Sequence, residues 1–326
     1  MFLKYTLLGL LLGCTAHSAV LVPSGSIELP GKAGARFDYL TIDEDHRHLL
    51  AAHLGAGLLY VIDLDTEKLL RTIPDLPGIE GVEYVPGLNK AYTSNWGDKT
   101  IGVVDLSSMK VLKKLPAENK PDGSVYAAPF GKLYVSDERA KAEIVVDVKT
   151  DKILKTLRFT SETGMPQFDS VTNRVYLNLQ DENVFAEIDP ASDTVVARHE
   201  LTGCQGNHGM ALDTKNRRAF LACEGNDKLA VLDLNSFKVT TTISLPGGVD
   251  VIKFDPSTAR IYAACYDGYI SVIHEDDPDH FSKVEDVRVQ PKVHSLAVDA
   301  KNRRLYASEQ EENGKPVSKM IIYDVK

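Results

Sequence analysis

Seven times along this chain an apolar run closes on a polar residue and enters a tight turn. The runs are YVIDL at Asp63, GVVDL at Asp105, IVVDV at Asp147, AEIDP at Asp189, AVLDL at Asp233, SVIHE at His274 and IIYDV at Asp324. Their spacings are 42, 42, 42, 44, 41 and 50 residues. Thirteen residues ahead of the first five stand Leu50, Tyr92, Tyr134, Tyr176 and Phe220, and Tyr262 and Tyr306 fill that place in the last two units. A period of this length marks a repeat architecture, in which each unit buries its apolar faces only against its neighbours.

Within a unit, hydrophobicity alternates with period two and the breaks fall at Asp, Asn, Ser, Gly and Pro, which is the pattern of short half-buried strands. Strand one is a stretch such as FDYLTID (37–43), GMALD (209–213) or SLAVD (295–299); strand two carries the aromatic, as in AYTSN, LYVSD and IYAAC. The VIDL element is strand three, and KLLRTI, KVLKKL, KILKTL or KVTTTI is strand four. Seven units of four strands predict an all-β chain folded as a seven-bladed β-propeller, because radial stacking buries both faces of each unit and leaves few open edges. The seventh unit stops at its third strand, Ile321 to Val325, and SIEL (Ser26 to Leu29) is the fourth strand it lacks. The ring is therefore expected to close through an N-terminal strand that completes the last blade. The 326 residues then form one propeller domain over 20–326, where length alone would suggest two domains.

The segments YTSN (Tyr92 to Asn95) and YVSD (Tyr134 to Asp137) are each followed by V-V-D and a turn into K-x-L-K-x-L, and EGNDKLAVLDLNSFKVTTTI (Glu224 to Ile243) repeats the theme. This resembles the YVTN family of bacterial β-propeller repeats over nearly all of the chain. The resemblance implies a scaffold and no single activity. His53, Leu179, Cys223, Cys265 and Glu309 depart from the signature's final Asn.

Charge and leader narrow the setting. With 46 acidic and 37 basic side chains the formal charge is −9, and no long Lys/Arg run offers the concentrated positive field that phosphate-backbone binding needs, so nucleic acid is not an expected partner. Lys4, the short apolar stretch Leu7 to Gly13 and the small residues Ala16, Ser18 and Ala19 resemble a secretory signal over 1–19, too short to span a bilayer. A periplasmic or secreted monomer without a transmembrane span is expected. Leu11-Leu12-Gly13-Cys14 gives the alternative of a lipid-anchored Cys14. Beyond the leader remain Cys204, Cys223 and Cys265, which in an oxidising compartment allow one disulfide; Cys204 with Cys223 is the favoured pair.

Propeller ligands usually sit at the channel mouth, built where chains enter strand one and leave strand two. Twelve residues before each aromatic position lie Asp38, Glu80, Asp122, Gly164, His208, Asp250 and His294, a row that a merely solvated channel would also carry. Three residues after it lie His53, Asn95, Asp137, Leu179, Cys223, Cys265 and Glu309. Antiparallel hairpin arithmetic pairs Asp38 with His53, Glu80 with Asn95, Asp122 with Asp137, His208 with Cys223, Asp250 with Cys265 and His294 with Glu309. On this reading Asp38, His53, Glu80, Asn95, Trp96, Asp122 and Asp137 bind a ligand, while His208, Asp250, His294 and Glu309 hold a divalent metal ion. The expected function is a binding or scaffold protein that presents this acidic, His-containing mouth to a small molecule, a metal ion or a protein. The alternative is a metal-dependent hydrolase resembling lactonases and lyases of similar architecture, with His208 or His294 moving a proton.

Overall fold

A computed structural model describes residues 19–326. The expected signal segment up to Ser18, with Cys14, lies outside them. The chain forms seven four-stranded antiparallel sheets arranged as the blades of a propeller, and the only helical pieces among the described residues are short 3-10 turns such as Glu138–Ala140 and Glu224–Asn226. None of the described helices is long and apolar enough to cross a membrane. Blade two is typical: Ile79–Val85 lines the channel, followed outward by Lys90–Asn95, Thr100–Asp105 and Lys110–Pro116. Blade seven is shared by the two ends of the described chain, with Leu21–Glu28 pairing antiparallel to Lys315–Val325 as its outermost strand. Arg47 of blade one adds a second tie, reaching Asp299 of blade seven at 2.9 Å.

The repeated Asp is a turn-maker. The Asp63 carboxylate accepts the backbone N–H groups of Asp65 and Thr66, and Asp147 accepts those of Lys149 and Thr150, so a side chain satisfies the turn between strands three and four. The last turn residue then adopts positive φ, as in Glu67, Met109, Asp151, Asp193 and Phe237. Blade six has His274 in place of the Asp, and there Asp277 makes the turn three residues later by accepting from Asp279 and His280.

The repeated aromatic joins blades. Tyr92, Tyr134, Tyr176, Phe220, Tyr262 and Tyr306 are almost wholly buried. The core they fill lies between neighbouring sheets: Tyr92 and Val103 of blade two pack with Leu133, Val135 and Ile144 of blade three. The Tyr134 hydroxyl donates 2.5 Å to Asp193, in the turn of the next blade, and Lys132 reaches the same carboxylate at 2.7 Å. Tyr92 and Lys90 do the same to Asp151. In blades two and three the aromatic hydroxyl thus bonds the last residue of the next blade's turn, 59 residues on, while the repeated Asp closes the turn within its own blade.

Tyr134→Phe should destabilise the fold by about 1–2 kcal/mol, the cost of a buried hydrogen bond whose acceptor keeps one partner. A calorimetric melt checks this, with a fall of a few degrees expected.

Candidate functional site

The channel mouth is built by a bulge repeated in the inner strands. In blade two Ile79 faces Asn95 and Val82 faces Thr93, three steps on one strand against two on the other. The same shift occurs at Pro121/Ser124, Thr163/Pro166, Asn207/Met210 and Val249/Ile252. An extra residue re-aims the side chains around it. Glu80, Asp122, His208 and Asp250 each fall in such a gap. Gly81 and Gly209 follow two of them, where a Cβ would stand 2.1 and 2.0 Å from the carbonyl oxygens of Asp122 and Asp250 in the next blade. Glycine there lets adjacent inner strands close the ring. In blades one and seven the inner strand starts later, at Leu40 and Leu296, and Asp38 and His294 come in from the preceding loops.

These residues meet in one polar cavity of about 230 Å³, lined by Asp38, Asp122, His208, Asp250 and His294 with Tyr39, Arg36, Lys120 and Gln180, and by Glu138 and Glu224. Glu80 stands at its edge, 3.6 Å from Lys120 Nζ. His294 Nε2 is 2.7 Å from Asp250 Oδ2 and 2.6 Å from Arg36 Nη2. One nitrogen cannot donate to the carboxylate and accept from the guanidinium at once, so this contact set is internally unsatisfied. Arg36 also pairs with Asp38 at 2.9 Å. On the other side His208 Nε2 is 2.9 Å from the Tyr39 hydroxyl and 3.4 Å from Asp250 Oδ1. The Nδ1 atoms of both His208 and His294, and Asp250 Oδ1, are buried without a hydrogen-bond partner. Ligand atoms of His208, Glu224 and Asp250 lie within 4.8 Å of one another.

The row three residues past the aromatic does not join them, which corrects the predicted hairpin pairs. With the bulge counted, Asn95, Asp137, Cys223 and Cys265 face Ile79, Pro121, Asn207 and Val249, one residue off the predicted partners. Asp137 accepts the backbone N–H groups of Glu118, Asn119 and Lys120 and so organises a loop. Asn95 donates to Thr100. His53 stacks on Phe37 at 4.0 Å and bonds Tyr60. Glu309 lies on a separate groove between blades six and seven. Trp96 is 40% exposed and packs over Gly78 outside the cavity. Cys204 and Cys223 form a disulfide, and Cys265 is a buried free thiol whose pKa burial pushes up to about 12.

The residues that do line the mouth from the strand-two side stand one place further on. Glu138, Gln180 and Glu224 lie four residues past Tyr134, Tyr176 and Phe220. Strand two ends at Asp137, Leu179 and Cys223, so the next residue begins the turn toward the channel. Arg36 and Lys120 were also missed, although each stands two residues before a mouth carboxylate, Asp38 and Asp122. That recurring offset was the available signal.

Burial sets the proton balance. It pushes the Glu80 carboxyl up to about 10, with Asp122 and Asp38 adding to the effect. Glu138 rises to about 7 through burial and Asp122. Burial opposes charge on His208, but Asp250, Glu224 and Asp122 together raise it to about 9. Asp250 is held below the usual range because His294 and His208 outweigh its burial, and Lys120 and His208 do the same for Asp122. The mouth is thus a reservoir of protons and resident cations among six carboxylates.

No protein-family model matches the chain, and no curated protein matches it. Among solved structures, a chain of the mitotic checkpoint complex is similar at 12% identity and TM-score 0.79, covering 100% of this chain and 98% of that one. A chain of Kuenenia stuttgartiensis hydrazine synthase is similar at 14% identity and TM-score 0.76, covering 86% of this chain and 94% of that one. At such identities the likeness shows the propeller fold alone.

Glu80, Glu138 and His208 hold protons more tightly folded than unfolded. Their contribution to stability is complete below the unfolded values, about 4.5 for Glu and 6.5 for His, and drains as pH rises through about 7, 9 and 10. Asp122 and Asp250 act in the opposite sense, but only as pH falls below about 4. In chelator, the melting temperature should therefore fall between pH 6 and pH 9; a rise across that window contradicts the assignment.

Proposed function

We propose that this chain is an exported binding protein of the YVTN-repeat kind whose channel mouth captures a divalent transition-metal ion through His208, Glu224 and Asp250, with His294 beside them. The observation that carries the reading is that ligand atoms of His208, Glu224 and Asp250 come within 4.8 Å of one another in a cavity where Asp250 Oδ1 and the Nδ1 atoms of His208 and His294 are buried without a hydrogen-bond partner. Unmade hydrogen bonds of this kind each cost on the order of 1–3 kcal/mol. A cation would offset several at once. Imidazole mixed with carboxylate suits zinc, manganese, iron or nickel better than calcium. The charge balance agrees, because carboxylates outnumber the resident cations in a cavity with little apolar lining. Export is supported by the leader-like Lys4 to Ala19 segment and by the disulfide, which persists in oxidising compartments.

The ligand must bind as neutral imidazole, so binding has to expel the proton that His208 holds up to about pH 9. Titrating tag-free, chelator-treated protein with Zn²⁺ by calorimetry should give one ion per chain. Affinity should rise by up to about tenfold per pH unit between pH 6 and 8. His208→Ala and Glu224→Gln should each weaken it, the former by at least about 100-fold, more than loss of a supporting residue costs. Unchanged affinity in His208→Ala would sink the proposal.

A further inference from the structure

A lysine stands at the centre of a second group of ligands in the same mouth. Glu80 of blade two and Asp122 and Glu138 of blade three present carboxylate oxygens within 4.8 Å of one another, using no residue of the His208 site. Lys120 Nζ sits among them, 3.3 Å from Asp122 Oδ2, 3.6 Å from Glu80 Oε2 and ion-paired to Glu138. Glu80 is 2% exposed, and the oxygen it turns toward the ammonium has no hydrogen-bond partner. An ammonium has three N–H donors to share among these groups, and at 3.6 Å the Glu80 oxygen is beyond their reach. The enclosure is wider than one lysine satisfies.

The donor set is all oxygen. Three carboxylates offer up to six oxygens, the chemistry of hard cations such as calcium, which takes 6–8 oxygen ligands at about 2.3–2.6 Å. Lys120 enters from the loop preceding the inner strand Pro121–Ala127, on a long stem that can carry its charge outward. We propose that Glu80, Asp122 and Glu138 form a second cation site, of calcium-type chemistry, in which the Lys120 ammonium is the resident occupant that a hard divalent ion displaces. Lys120 then sets a threshold: the ion binds only where its concentration outcompetes a tethered cation.

The test is calcium titration by equilibrium dialysis at fixed ionic strength and pH 7.5, on the wild type and on Lys120→Met, Glu80→Gln and His208→Ala. One saturable ion is expected in the wild type. Affinity should tighten at least tenfold in Lys120→Met and weaken at least tenfold in Glu80→Gln, while His208→Ala, which removes a neighbouring cation from Asp122 and Glu138, should not weaken it. Glutamine closely matches the protonated form that burial favours for Glu80, so that variant keeps the fold and decides the matter alone if Lys120→Met does not fold. Non-saturable calcium binding, retained affinity in Glu80→Gln, or no tightening in a folded Lys120→Met overturns the proposal. Calcium lost in His208→Ala but kept in Glu80→Gln also overturns it and assigns the ion to the transition-metal site instead.

Discussion

One extra residue near the start of the inner strand governs the mouth of this propeller. Without that bulge Glu80 would face Asn95 in a regular ladder; with it, Ile79 takes that place and Glu80 lies in the gap. A side-chain period of two means that a one-residue shift exchanges the two faces of a strand. Repeated in blades two to six, the shift sets acidic and histidine side chains from separate blades around one space. The glycines at 81 and 209 make the same geometry sterically possible, since any Cβ there would collide with the neighbouring blade.

Bringing these groups together is costly, and the structure shows how the cost is contained. Two permanent cations, Arg36 and Lys120, stand among the carboxylates, and protons held on Glu80, Glu138 and His208 reduce the repulsion that remains. The compensation is incomplete, for buried atoms of His208, His294, Asp250 and Glu80 stay without hydrogen bonds. The inter-blade ties, Tyr134 to Asp193 and Lys132 to the same carboxylate among them, supply the rigidity that holds the groups in place. The disulfide ends at Cys223, the residue before Glu224, and so pins one ligand directly.

The blades were legible because period and aromatic follow from packing between sheets, with an added inter-blade bond at Tyr92 and Tyr134, and the repeated Asp from a side-chain-closed turn. The strand that closes the ring was legible from a missing fourth strand, although it runs over Leu21–Glu28 and not only from Ser26. The first row of the mouth followed from the same register. The second row did not, because hairpin arithmetic assumes a ladder without bulges and stops at the last strand residue. It therefore selected Asp137, Cys223 and Glu309, where Glu138 and Glu224 line the cavity. Burial and charge pairing, which set the protonation of the site, depend on distances between blades and have no local trace in sequence.

Residues far apart in the chain, His208 and Asp250 aimed by the bulges and Glu224 by the turn after strand two, are proposed to hold a cation at the channel mouth. Anomalous diffraction from crystals grown with Zn²⁺ and recorded above the zinc edge tests it most directly. One strong peak bounded by His208, Glu224 and Asp250 is expected, with an imidazole nitrogen at about 2.0–2.1 Å. A fully occupied mouth without such a peak, or zinc found only on the outer surface of the ring, would contradict it.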